Sequence, residues 1–169
     1  MLKIRKESNE VLYSEEEYVS INKENIEWLK KLSLKNRSGK IRLCAHKSPN
    51  ENLHEMLIVH RKDCYVRPHK HINKIESMFV LEGEADYIIF DDEGNVKNIL
   101  KMGSQNSRNI FYNRFNKTNY HMLIIKSEYF VFHEVTNGPF DKSKTIFPTW
   151  APTFYDKEFY EKKIDQFKK

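Results

Sequence analysis

From about Ile41 onward the chain alternates short runs of bulky apolar residues with polar, turn-forming clusters. Ile41–His46 and Glu55–His60 are such runs, separated by Ser48-Pro49-Asn50-Glu51-Asn52, and both predict strands. Tyr65–His71 predicts extended chain, because Pro68 disfavours helix at Arg67. Glu76–Leu81 and Asp86–Phe90 flank Gly83, which permits a tight turn. Asp91-Asp92-Glu93-Gly94-Asn95 predicts a hairpin turn into Val96–Leu100. Ile110–Tyr112, Tyr120–Lys126 and Tyr129–Val135 complete the series, and Asn137-Gly138-Pro139 closes it with a turn.

Helical spacing occurs at the two ends. Asn22 can cap a helix over Asn22–Leu34 in which Ile26, Leu29 and Leu32 recur on one side, stopped by Arg37-Ser38-Gly39. Asp156–Phe167 predicts a second helix with Phe159, Tyr160, Ile164 and Phe167 on its apolar side. Many short strands with almost no helix between them predict an all-β jelly-roll barrel. The division expected is an N-terminal arm and helix over residues 1–40 packing on the barrel, a barrel over 41–152 and a C-terminal helix over 153–169.

Composition narrows the class. At 169 residues, 39% apolar and 13% aromatic, the chain can fill one core, so disorder is not expected. A net charge of +5 comes from scattered lysines and reads as a solvated basic surface, not a nucleic-acid face. It also favours anionic small ligands. No run is long enough to span a bilayer, and Met1–Asn9 lacks the apolar stretch of a signal peptide, so a cytoplasmic protein is expected. Cys44 and Cys64 form no CxxC pair and are read as reduced thiols. Tyr13, Tyr18, Trp28 and Phe154 lie outside the barrel segment, and aromatic residues in such arms often cover a partner's sheet, which points to a homodimer.

The most informative segment is Pro68-His69-Lys70-His71-Ile72-Asn73-Lys74-Ile75-Glu76, an HxHx4E pattern followed after six residues by Gly83. Alternate side chains of a strand share a face, so His69 and His71 point the same way about 7 Å apart. A reversal through Asn73-Lys74 can bring Glu76 beside them. His121, which opens the apolar strand Met122-Leu123-Ile124-Ile125, is the candidate fourth ligand. Three neutral imidazoles and a carboxylate suit one divalent transition metal such as Zn, Fe, Ni, Co or Mn, with coordination positions left open.

Parity extends the site. Tyr65 and Arg67 share the face of His69 and His71, so both are expected beside the metal as substrate-binding residues, with Arg67 also a catalytic candidate. A guanidinium there needs an anion: either a substrate carboxylate or phosphate, or Glu134 or Glu82 in a structural ion pair. Glu134 and His133 face opposite ways, and the residues beside both are apolar, so parity leaves open which points inward. Glu134 inside would be a candidate catalytic general base or an orienting group. His46 shares a face with Arg42 and Cys44, where it either lines the pocket mouth, binding substrate, or fills the core. His54 and His60 receive no role.

The HxHx4Ex6G stretch resembles the first cupin motif, which implies a double-stranded β-helix with the two His and the Glu on metal. The second cupin motif supplies a further His, but Asn113–Tyr120 lacks its usual Pro-x-Gly, and His121 is carried over on position alone. Arg42-Leu43-Cys44-Ala45-His46, Tyr65–His71, Phe90–Gly94, Phe132–Phe140 and Trp150-Ala151-Pro152 resemble the WbuC-family cupin-fold metalloproteins. That resemblance implies a place in surface-polysaccharide (O-antigen or capsule) biosynthesis and no particular reaction. The function expected is a metal-dependent enzyme on a sugar or nucleotide sugar, isomerase-, epimerase- or hydrolase-like. The alternatives are a non-catalytic sugar-binding module and an iron-dependent dioxygenase.

Overall fold

The computed structural model describes residues 2–115 and 118–168. Twelve strands occur among them: β1 (Ile4–Lys6), β2 (Val11–Ser14), β3 (Lys40–Cys44), β4 (Leu53–Arg61), β5 (Lys70–His71), β6 (Glu76–Glu82), β7 (Glu84–Phe90), β8 (Val96–Gly103), β9 (Tyr112–Phe115), β10 (Tyr120–Ile125), β11 (Tyr129–Asn137) and β12 (Thr145–Ile146). Helix α1 spans Lys23–Ser33 and α2 spans Lys157–Phe167. Asn22 caps α1 in a reciprocal box with Asn25, and Asp156 caps α2 through the Phe159 amide.

Seven strands make the large sheet, in the order β1-β2-β3-β4-β11-β6-β9, and β10-β7-β8 make a second sheet. All pairings in these two sheets are antiparallel except β2 with β3. The chain passes from one sheet to the other at Gly83, which is therefore a corner and not a hairpin turn. Its φ is +83°, and an added Cβ would lie 2.0 Å from the Tyr129 carbonyl oxygen, so only glycine fits.

Alternation along each strand then assigns the faces. Cys44, Met56, Ile58, Met78, Val80, Phe130 and Phe132 of the large sheet meet Ala85, Tyr87, Met102, Leu123 and Ile125 of the small one, forming the barrel interior. Ile41, Leu43, Leu57, Val59 and Val131 point outward, where α1 covers them with Leu29, Ile26 and Trp28. Ile88, Phe90, Tyr120 and Met122 point out of the small sheet and are covered by Tyr160, Phe159 and Ile164 of α2. The jelly-roll architecture expected from the strand pattern is what forms.

The N-terminal arm joins the barrel's own large sheet, and α1 packs on that sheet. Residues 4–14 extend the large sheet as β1 and β2, and Tyr13 is buried in this chain's own interior. Trp28 likewise packs on this chain's own sheet, which leaves Tyr18 and Phe154 as exposed aromatics of the four singled out. Phe167 is exposed as well, so the apolar side of α2 ends near Ile164. Cys44 and Cys64 are buried and free, and burial pushes their thiols up to about 11 and about 12. No helix among the described residues is long and apolar enough to cross a membrane.

Candidate metal centre

His69 lies just before β5 and exchanges two backbone hydrogen bonds with His121: the His69 N–H donates to the His121 carbonyl at 3.1 Å, and the reverse bond is 2.9 Å. This bridge ties the HxH segment to β10, and so unites residues 52 positions apart in the chain. The next two residues, Lys70 and His71, pair with Ile146 and Thr145. Asn73 then turns the chain with φ +56°. The Asn137 side chain clamps that turn, accepting from the Ile75 amide at 2.7 Å and donating to the Asn73 carbonyl at 3.2 Å. Glu76 emerges at the start of β6, facing the histidines.

One ring nitrogen from each of His69, His71 and His121 lies within 4.8 Å of the other two. The Glu76 carboxylate reaches Nε2 of His71 at 3.4 Å and Nε2 of His121 at 3.6 Å. Every Nδ1 has a different partner. That of His69 meets the Arg67 carbonyl at 2.8 Å, that of His121 the Asn119 carbonyl at 3.1 Å, and that of His71 the Thr145 hydroxyl at 3.1 Å. A carbonyl accepts only, so Nδ1 carries the proton in His69 and His121 and the Nε2 lone pair is free to ligate. Burial pushes His69 down to about 3 and His71 down to about 4, and it lowers His121, so all three stay neutral at pH 7. Glu76 is held below its ordinary value: Lys74, with Nζ 3.2 Å from Oε1, and the imidazoles outweigh the effect of burial. Neutral imidazoles, two of them with fixed tautomers, around an ionised carboxylate fit a divalent transition metal.

The centre lines a cavity of about 800 Å³ between the sheets. Tyr87 stacks on His121 with ring centroids 5.4 Å apart, and Phe115 abuts the same ring edge-on at 5.3 Å. Glu134 lines this cavity. Its strand neighbours Phe130 and Phe132 belong to the interior, which settles the parity that the sequence left open. Burial, and then the charge of Glu76, push Glu134 up to about 7. A divalent cation on Glu76 would oppose the second effect. His133 points the other way, half-exposed, 3.8 Å from Glu55.

Two expected residues are placed differently in detail. Arg67 lines the cavity but pairs with neither Glu134 nor Glu82: it donates to the carbonyls of Pro148 and Ala151 and sits over the Phe147 ring at 5.1 Å. Glu82 instead holds Lys30 of α1 at 2.7 Å. Tyr65 also lines the cavity, yet its hydroxyl is spent on the Pro152 carbonyl and the Tyr160 hydroxyl. Of the two readings of His46, the structure has the packed one and not the substrate-binding one at the pocket mouth. His46 does not line the cavity but stacks flat on His54 at 4.1 Å, with Nδ1 against the Glu55 backbone, because β3 ends at Cys44 and the chain turns away.

Thr145, Asn137, Tyr87 and Lys74 were not foreseen from the sequence. Lys74 and Asn137 lie in motif stretches and were legible as neighbours. Thr145 has no local signal, since a two-residue strand brings it in. Asn116 and Lys117, within the stretch that replaces the second motif, lie outside the described residues.

Comparison with known proteins bears on the fold. A family model described as a domain of unknown function, DUF6016, matches residues 21–102, which is 82 of 169 positions and so just under half. It includes His69, His71 and Glu76 and stops before His121. No curated protein matches the chain. A protein of Shewanella oneidensis of known structure is similar over 79% of this chain and 84% of its own, at 11% identity and a TM-score of 0.53. The chain has the cupin fold. Oxalate decarboxylase of Bacillus subtilis is similar over 64% of this chain and 27% of its own, at 20% identity and TM-score 0.49. For that of Lactobacillus farciminis, in a formate complex, the values are 59%, 28%, 19% and 0.45. The chain spans about a quarter of the length of the oxalate decarboxylases it matches, and their chemistry does not transfer to it on those scores.

Proposed function

We propose that this cupin is a metal-dependent enzyme acting on a sugar or nucleotide sugar in surface-polysaccharide assembly, by isomerisation, epimerisation or hydrolysis. The observation that carries the metal is the set of imidazoles whose Nδ1 atoms all have other partners, turned with Glu76 toward one point. A bound divalent ion would supply Lewis-acid polarisation of a carbonyl, hydroxyl or phosphoryl oxygen. Burial raises the Glu134 carboxyl beside it above its ordinary value, which suits it to hold or release a proton there. A buried carboxyl lining the cavity beside the ion site favours catalysis over simple binding. The sugar and the pathway rest on the WbuC-family resemblance and on the roomy, partly polar cavity.

The test is metal content and turnover on one set of variants. The wild type should hold about one divalent metal per chain by mass spectrometry of digested protein, and His71→Ala or Glu76→Ala should lose it. Glu134→Gln should keep the metal while losing turnover of a panel of nucleotide sugars by at least about a hundredfold. Retention of full metal by both ligand variants would refute the metal reading. Equal turnover in Glu134→Gln would refute the role of that carboxyl. In keeping with the aromatic residues still exposed, Tyr18 and Phe154, a homodimer is proposed, and mass measurement in solution decides it.

A further inference from the structure

The inner face of the large sheet carries a second set of polar groups that the metal centre does not use. Register orders this face in rows. Glu76 shares a row with Thr136 and His54, and Glu134 shares the next with Met56, Met78 and Cys44. Beyond these lie Arg42 with Ile58 and Phe132, then Lys40 with His60 and Phe130. Lys40, Arg42 and His60 all line the same cavity as the metal centre. Arg42 is two rows from Glu76, roughly 13 Å along the strands. The cavity of about 800 Å³ that both residues line has room for a single sugar ring.

These three groups are short of acceptors. His60 is nine-tenths buried; its Nδ1 has no hydrogen-bond partner, Nε2 has none among the described residues, and the residue lines the cavity. Burial, together with Lys40, Arg42 and His69, pushes its ring down to about 3, so it is a neutral N–H donor at pH 7. Neither Lys40 nor Arg42 forms an ion pair among the described residues. Glu10, at the same wall, is exposed, and Glu134 is the other carboxyl within range. An exposed Arg42 and a half-buried Lys40, both without ion pairs, and an unpartnered buried imidazole line one wall of the cavity and together match the chemistry of a small anion entering from its mouth.

We infer that Lys40, Arg42 and His60 form an anion subsite, which receives the phosphate or carboxylate of a ligand whose other end lies toward His69, His71, His121 and Glu76. This deepens the proposed function, and rests on its reading of the cavity as a ligand site. The ligand class becomes a sugar phosphate or sugar acid held at both ends.

Calorimetric titration of the full chain, metal-loaded and chelator-treated, with glucose 1-phosphate, glucuronate and glucose tests this. Either anion should bind at least about tenfold more tightly than glucose, and Arg42→Gln or Lys40→Gln should each weaken the anion by about tenfold without changing metal content or weak glucose binding. A response to one anion alone identifies the group received and supports the subsite. Equal affinity for glucose and both anions, no anion binding at millimolar concentration, or indifference to both substitutions overturns it. Both residues are reachable from solvent, so the folded variants carry the test without disturbing buried His60. His71→Ala separates the two readings: loss of metal with inorganic phosphate still bound, and still sensitive to Arg42→Gln, keeps both. Retained metal sinks the metal centre alone.

Discussion

Mild acid should unfold the metal-free protein in a way the buried imidazoles dictate. His60, His69 and His71 are pushed down to about 3, about 3 and about 4, while in the unfolded chain they titrate near 6.5. Their folded values are depressed, so the stability they carry is complete above pH 6.5 and is lost as pH falls toward 4. Between pH 6 and 5 the unfolded chain binds nearly one more proton at each. Glu134 works against them: at about 7 it keeps a proton that the unfolded chain has released, an effect that favours folding at low pH and fades as pH rises through 7. Three protons less one is two, and at about 1.4 kcal/mol per proton per pH unit the net slope is about 2.8 kcal/mol per unit. His46 and His121 shift in the same direction as the other imidazoles and steepen it. Against a total stability of about 5–15 kcal/mol, two pH units remove much of the margin. Urea unfolding of chelator-treated protein from pH 7 to 4.5 reads the slope, and His69→Gln should lower it by about 1.4 kcal/mol per unit. A stability that stays level from pH 6.5 to 5, or a slope unchanged in that variant, would refute the placing of neutral imidazoles inside the barrel.

Other substitutions separate the parts of the structure. Thr145→Val removes the partner of His71 Nδ1 and should weaken metal binding by about 10–100-fold in competition with a chelating dye, with the fold intact. Gly83→Ala drives a Cβ onto the Tyr129 carbonyl at a positive φ and should cost at least about 1–3 kcal/mol in urea unfolding; a wild-type midpoint would contradict the corner. Leu29→Ala opens a hole between α1 and the outer face of the large sheet, at a fully buried position, and should cost about 2–5 kcal/mol while metal content stays at the wild-type level.

The residues that local chemistry governs were legible from the chain. A capping asparagine and a 3.6-residue apolar period define α1, and Pro68 with a two-residue repeat turns His69 and His71 to one side. Glu76 follows because a short turn leaves it no other place. What tertiary structure decided is whatever depends on a distant partner. Alternation divides a strand into two faces but cannot say which is covered, and only packing against Tyr87, Leu123 and Ile125 turned Phe132 and Glu134 inward and His133 out. The strands at residues 4–14 and 145–146 are too short and polar to announce themselves and exist because a neighbouring edge supplies their hydrogen bonds. Tyr13 and Trp28 serve their own sheet for the same reason, and His46 leaves the cavity because its strand stops two residues earlier. His121 reaches the centre through two backbone bonds to His69, a pairing between segments 52 residues apart whose closure the chain entropy opposes and only the assembled barrel secures.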